Sequence, residues 1–137
     1  MARDKIHDAV KNALIKDGWT ILADPFAIEY EEVALSADLA AERPFAAAKG
    51  SQKIVVEIKT FGGRSFIKQL QQALGQYEMY FDYLNLTTPE YELYLGISEL
   101  VYNDFFLQRA IQVLIQRRRL RLVIVDLDTE EVVSWIK

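Results

Sequence analysis

Two charged side chains interrupt one of the most apolar segments of the chain. Residues 53–59 read Lys-Ile-Val-Val-Glu-Ile-Lys, a run too continuously apolar at its centre for a surface strand, which predicts a strand near the middle of a sheet. The two-residue period of a strand puts Glu57 and Lys59 on one face and turns Ile58 to the other. Because unpaired charge is costly to bury, these side chains are expected to meet a partner or a metal ion.

Asp38 is the expected partner of this pair. It lies upstream, on the other arm of a predicted hairpin, so its carboxylate is expected to converge on that of Glu57. Two carboxylates with a lysine beside them form an oxygen-rich site of the kind that Mg²⁺ prefers, and such a site suits phosphodiester chemistry. Asp38, Glu57 and Lys59 are therefore the first candidate site residues.

The apolar periodicity predicts which elements hold this site in place. The predicted order is α-β-β-β-α-β-α-β-β, a mixed α/β sheet flanked by helices. Residues 30–48 are ambiguous because they are rich in alanine, and we interpret them as the first arm of the hairpin. The predicted elements are a helix over 4–17 closed by Gly18, a strand over 19–22, the arm within 30–48, a strand over 53–61, a helix over 65–84, a strand over 91–97, a helix from Asn103 or Asp104 to 115, and strands over 120–127 and 132–136.

The composition is that of a soluble globular protein. Of 137 residues, 51% are hydrophobic and 26% are charged, and the formal net charge is -4. The absence of cysteine excludes disulfides, thiolate metal sites and a cysteine nucleophile, and it suits a reducing cytoplasm. Charges interrupt every apolar stretch before the roughly 18 residues that a membrane span requires. We therefore expect one cytoplasmic domain over residues 1–137, without membrane association.

A cluster of arginines carries the one concentrated positive charge. Its members are Arg117, Arg118, Arg119 and Arg121. They are typical of a helix end, where cations favour the negative end of the helix dipole. The same cluster is also a candidate patch for contacts with DNA phosphates. The sequence leaves both interpretations open.

The candidate residues resemble a nuclease signature. Asp38 followed by Glu57-Ile58-Lys59 at a hairpin, with a helix before and after, resembles the PD-(D/E)XK nuclease superfamily. Residues 76–80, Gln-Tyr-Glu-Met-Tyr, reproduce the Q-x-x-x-Y signature that many of its members carry just after that strand. The resemblance implies a restriction-endonuclease-like fold, with Gln76 added to the site.

Nearly the whole chain is similar to the XisH family, the fdxN-element excision controlling factors of cyanobacteria. The segments that carry this similarity are residues 6–14, 16–21, 37–39, 41–43, 56–59, 73–77, 93–95 and 133–136. The resemblance implies a role in controlling the timed excision of a DNA element, together with a partner protein, XisI. The recombinase itself is a different protein.

The resemblance also suggests a mechanism. In it, Asp38, Glu57 and the backbone carbonyl of Ile58 hold Mg²⁺ or Mn²⁺. Lys59 positions the attacking water or stabilises the charge that develops on phosphorus, and Gln76 orients the water or the lysine. Tyr80, one helical turn beyond Gln76, packs or touches the DNA backbone. Asp8, preferred to Asp4, is an accessory carboxylate on the first helix, and the single histidine is interpreted as an ordinary helix-face residue.

Two functions remain open. The intact set of charged residues favours a Mg²⁺-dependent DNA endonuclease, for which a homodimer is one way to cut both strands. The alternative is a non-catalytic control module that binds an XisI-like protein or the recombinase and gates excision. The net charge of -4 favours this alternative, because a small acidic protein binds DNA poorly by itself.

Overall fold

The computed structural model describes residues 2–62 and 65–137, with side chains from Lys5 onward. The helices are α1 (Ala2–Lys16), α2 (Phe66–Thr87), α3 (Glu99–Val101) and α4 (Arg109–Arg118), and a π-helical turn over Tyr102–Phe106 joins the last two. The strands are β1 (Thr20–Ala23), β2 (Phe26–Tyr30), β3 (Val33–Ala37), β4 (Leu39–Pro44), β5 (Ser51–Ile58), β6 (Tyr91–Ser98), β7 (Leu122–Asp126) and β8 (Glu131–Ile136).

Six strands form one mixed sheet in the order β1-β4-β5-β6-β7-β8. The pairs of β5 with β6 and of β6 with β7 are parallel, and the other pairs are antiparallel. The predicted hairpin of β4 and β5 is confirmed, and so is the central position of β5. Because β5 is covered on both faces, its residues 54 to 57 are all buried.

The two long helices cover opposite faces of this sheet. On one face, Val10 and Leu14 of α1 pack with Val56 of β5. On the other, Leu70 and Ala73 of α2 pack in the cluster that contains Val55 of β5. Both helices begin or end at residues the sequence predicts: Gly18, with φ 94°, follows α1, and Ser65 caps α2 by accepting a hydrogen bond from the Lys68 amide.

The segment that precedes the β4–β5 hairpin differs from the prediction. Its residues form two further strands, β2 and β3, which pair in a separate two-stranded sheet packed against α2 through Ile28. Five strands therefore precede α2, and the predicted order with three is wrong. The connection between β2 and β3 contains Glu31 with φ 50°, a left-handed turn made without the glycine that marks such turns in sequence. As a result, Asp38 lies at the corner between the two sheets.

The third predicted helix also begins elsewhere. Helical structure starts at Glu99, because the Ser98 hydroxyl accepts a hydrogen bond from the Val101 amide and caps the helix directly after β6. The predicted single helix from Asn103 or Asp104 is instead a π-helical turn followed by α4. This turn buries Phe106 in the core beneath α2. Among the described residues, no helix combines the length and apolar composition of a membrane span.

Gly96 allows the central strands to carry large side chains beside the site. A Cβ atom at Gly96 would lie 3.0 Å from Val56 Cγ1 and 3.6 Å from Ile58 Cγ1, both on β5. We expect Gly96→Val to lower the free energy of unfolding by about 1–3 kcal/mol through overpacking. Urea denaturation measures this, and an unchanged midpoint would contradict it.

Candidate active site

Backbone amides of the hairpin hold the carboxylates of Asp38 and Glu57 side by side. The Asp38 amide donates a hydrogen bond to Glu57 Oε1 at 3.2 Å, and the Ile58 amide donates one to Asp38 Oδ2 at 2.7 Å. The first residue precedes β4 and the second lies near the end of β5, so the hairpin itself sets their separation. Each is only 8% exposed. The structure therefore brings the two predicted carboxylates together as a buried pair.

Lys59 is the cation beside this pair. Its Nζ lies 3.4 Å from Glu57 Oε2, and its side chain is 30% exposed. Its amide donates a hydrogen bond to the Gly96 carbonyl, which extends the pairing with β6 past the last residue of β5. Two residues later, Phe61 is buried against Phe66 with φ 51° and anchors the chain where it leaves the sheet. The lysine backbone is thus fixed while its ammonium reaches the solvent side.

Gln76 reaches the site from α2 and is oriented by Tyr80. Gln76 Nε2 donates to the Tyr80 hydroxyl at 2.9 Å, and that hydroxyl donates to the Ser36 carbonyl at 2.9 Å. Burial, followed by the negative charge of Glu57, raises the pKa of Tyr80, so the hydroxyl keeps its proton. Tyr80 is 3% exposed. Of the two roles predicted for it, packing fits this position and contact with DNA does not, because its hydroxyl is used inside the protein to connect α2 with β3.

We expect Tyr80→Phe to remove the hydroxyl that accepts the hydrogen bond from Gln76, so that the Gln76 side chain is no longer held in one orientation. The variant removes two hydrogen bonds and leaves the Ser36 carbonyl without this donor, so the free energy of unfolding should fall by about 1–2 kcal/mol. Thermal denaturation measures the loss. A variant as stable as the wild type would show that this connection is not needed to hold α2 on the small sheet.

The carboxylate pair is electrostatically unfavourable by itself. Burial, followed by the charge of Asp38, raises the pKa of Glu57 from 4.5 to about 7, although Lys59 acts in the opposite direction. A divalent ion would relieve this repulsion, and two carboxylates supply the oxygen ligands that Mg²⁺ and Mn²⁺ accept. Among the described side chains, no group of three or more His, Asp or Glu residues is placed to hold a metal ion. Backbone, water or substrate oxygens would therefore have to complete the shell of an ion held by this pair.

The predicted site residues line a single cleft of about 420 Å³, which lies between α1, the ends of the strands and α2. It contains all four predicted catalytic residues, Asp38, Glu57, Lys59 and Gln76, together with Ile58. It also contains His7, for which the sequence predicts only an ordinary position on the face of a helix. His7 Nδ1 lies 3.8 Å from Asp38 Oδ1, and Nε2 lies 2.9 Å from both carboxylate oxygens of Asp24.

The sequence gives only a weak signal for His7. It is one helix residue away from Asp8, the accessory residue predicted for α1. Asp8 is exposed and lines a neighbouring cavity with Asp128 and Glu130, so the structure does not bring it to the carboxylate pair. Successive residues of a helix point about 100° apart. The face of α1 that meets the cleft therefore carries His7, and Asp8 points to the neighbouring cavity. The side chain of Asp4 lies outside the described part of the chain.

The arginine cluster lies apart from this cleft. Arg117 and Arg118 form the last turn of α4, and Arg119 follows it in the left-handed conformation, as expected for a helix end. All four arginines line a cavity of about 780 Å³ against α2. Arg118 pairs with Glu78 at 2.6 Å, and Arg121 Nη2 lies 3.9 Å from Glu92. These two charges are partly neutralised within the protein.

Comparison with known proteins places this chain in a family. The sequence model of the XisH protein family matches residues 1–133. The chain is similar to the crystal structure of an XisH family protein from Nostoc punctiforme, with a TM-score of 0.88 and 36% identity over 97% of this chain and 99% of that one. It is also similar to an fdxN element excision controlling factor protein from Anabaena variabilis, with a TM-score of 0.89 and 35% identity over 98% of this chain and 99% of that one. No functionally curated protein matches the chain. On a match that spans almost its full length, the chain belongs to the XisH family.

Proposed function

We propose that this protein is a restriction-endonuclease-like nuclease of the PD-(D/E)XK superfamily that cleaves DNA phosphodiester bonds with Mg²⁺ or Mn²⁺ and acts in the control of DNA excision. The observation that carries the proposal is the buried pair of Asp38 and Glu57, with Lys59 Nζ 3.4 Å from Glu57 at the open side of one cleft. The name of the relative from Anabaena variabilis supports the role in excision.

Each residue has a distinct task in this proposal. Asp38, Glu57 and the carbonyl of Ile58 would hold the ion, which when bound supplies Lewis-acid activation of the phosphodiester and acidifies the attacking water. Lys59 donates hydrogen bonds to the phosphate oxygen on which charge develops. Gln76, held by Tyr80, orients the attacking water. The backbone hydrogen bonds between Asp38 and the end of β5 keep the ligands in place before the ion arrives.

The variant Lys59→Met distinguishes a role of the lysine in the cleavage step from a role in metal binding. The variant keeps most of the length of the side chain but removes its charge, so we expect the single-turnover rate of plasmid nicking to fall by about 10²–10³-fold. Mn²⁺ affinity measured by calorimetry should change by less than about tenfold, because the lysine is not a ligand. Lys68→Met, at an exposed position on α2, is the matched control and should nick at the wild-type rate. Equal rates for the two variants would remove Lys59 from the mechanism.

A second function is favoured by a different observation. Three large apolar side chains near the first turn of α2 and the break between α3 and α4 are strongly exposed: Leu100 at 71%, Leu107 at 55% and Ile67 at 54%. Large apolar side chains that remain exposed are candidates for contacts with a protein partner. With the net charge of -4, this supports a control module that binds an XisI-like protein or the recombinase. DNA affinity that is absent for the protein alone and appears only with the partner would favour this function over cleavage by the isolated chain.

A further inference from the structure

The cavity that contains the four arginines lies on the far side of α2 from the candidate active site. Its lining combines these arginines with residues of α2, and it shares no lining residue with the cleft. Successive helix residues point about 100° apart, so Leu74 and Glu78, each two positions from Gln76, lie on the opposite side of the helix. Because Gln76 faces the cleft, α2 separates this cavity, the arginine groove, from the carboxylate pair.

All four arginines of the groove can accept a further anion. Arg117 and Arg119 form no ion pair with any described side chain. Arg118 is paired with Glu78, but the two side chains are 58% and 62% exposed, so solvent screens this pair and it contributes little. Arg121 lies as far as 3.9 Å from its carboxylate partner on β6. The groove therefore keeps most of its positive charge for an occupant.

Apolar side chains lie among these charges. Phe81 is 40% exposed, and Leu74 is partly buried against the core, and both line the groove. Along α2 the lining runs from Gln71 to Asp82, which is about 16 Å at the helical rise and matches about five residues of extended chain. This elongated, mixed surface fits a segment of chain better than a compact anion.

We propose that the arginine groove binds an acidic segment of a partner protein, in which Asp or Glu residues are combined with large apolar residues. Each guanidinium group can hold a carboxylate through two parallel hydrogen bonds. Phe81 and Leu74 pack against the apolar residues of the segment. This goes beyond the proposed function and does not depend on it, because α2 lies between the groove and the metal site.

Nucleic acid is the other polyanion that the arginines could contact. Glu78 and Asp82 also line the groove, however. A nucleic acid carries a phosphate at every nucleotide and so cannot avoid these two carboxylates, whereas a peptide can place an apolar or basic residue opposite them. DNA held in the cleft is also kept from the groove by α2. The lining and its position therefore favour the acidic peptide.

Fluorescence anisotropy with the full chain tests the proposal. The probe is a synthetic peptide, Glu-Leu-Asp-Phe-Glu-Leu, that carries a neutral fluorophore. The control probe has Gln and Asn in place of Glu and Asp. We expect the wild type to bind the acidic peptide at least about tenfold more tightly than the neutral one, and this preference should decrease as the salt concentration rises.

A double variant, Arg117→Gln with Arg119→Gln, places the binding in the groove. It removes the two arginines without an ion partner, so we expect the affinity for the acidic peptide to fall by at least about tenfold. The matched control is Arg109→Gln with Lys68→Gln, which loses the same charge at exposed positions outside the groove. It should bind as the wild type does. Circular dichroism checks that both variants are folded.

Three results would overturn the proposal. Equal loss of affinity in the two double variants would show general attraction to charge and no site in the groove. Equal affinity for the acidic and neutral peptides would show that the groove does not recognise carboxylates. If a labelled DNA oligonucleotide, and not the peptide, binds in a way that the groove variant abolishes, the groove is a nucleic-acid site. Failure of the metal site is seen separately, by calorimetry of Glu57→Gln.

Discussion

Replacing Glu57 by glutamine is expected to lower the affinity for Mn²⁺ and Mg²⁺ by roughly 100-fold or more, since the variant removes one of only two charged oxygen ligands. The introduced glutamine keeps the shape of the side chain, and its oxygen can still accept the hydrogen bond from the Asp38 amide. The loss therefore reports the charge and not a collapsed hairpin. Isothermal titration calorimetry in a mildly alkaline buffer measures it.

The matched control for this experiment is Glu99→Gln. Glu99 is also an acidic residue near the end of a parallel strand, but it does not line the cleft. Its variant should bind both ions with the wild-type affinity. Equal affinities for the Glu57 variant and the wild type would place any metal site elsewhere in the protein.

The stability of the metal-free protein is expected to decrease as the pH rises from about 5 to above 7, through the contribution of Glu57. Its pKa is raised to about 7 in the folded protein, from an ordinary value of 4.5. Between these values the folded state binds more protons than the unfolded state, so each pH unit lowers the free energy of unfolding by up to about 1.4 kcal/mol. The contribution is favourable below pH 4.5 and is lost as the pH rises through about 7.

Glu57→Gln isolates this contribution. The difference in the free energy of unfolding between variant and wild type should be small near pH 4.5 and rise to about 3 kcal/mol in favour of the variant about one pH unit above the folded-state pKa. Urea denaturation in the presence of a chelator measures both proteins across this range. A difference that stays constant with pH would show that the carboxylate pair is not under electrostatic strain.

Local patterns were enough to predict the elements that carry the candidate catalytic residues. The continuous apolar run of β5 gives its central position, and the two-residue period gives the common face of Glu57 and Lys59, whose charged groups the structure places 3.4 Å apart. Ser65 and the periodicity after it give α2, and with it Gln76. These features depend on residues close together in the chain, so the sequence contains them.

The features that could not be predicted from the sequence depend on contacts between residues that are distant in the chain. The strands β2 and β3 have no glycine turn, and their pairing is stabilised by packing of Ile28 against α2, far along the chain. The place of His7 beside the carboxylate pair depends on Asp24 and Asp38, which flank it and are distant from it in sequence. Tyr80 has the spacing of a signature residue, but only the fold shows that its hydroxyl meets Ser36.

The most direct test is cleavage of supercoiled plasmid by the purified wild type and by Glu57→Gln, in Mn²⁺, in Mg²⁺ and in chelator, with Asp8→Asn as the control. We expect the wild type and the control to nick the plasmid only with a divalent ion, and the folded Glu57→Gln protein to leave it intact. If calorimetry shows that the wild type has bound Mn²⁺ and the plasmid still remains uncut, the isolated chain is not a nuclease, and the partner-binding control module becomes the better description of its function.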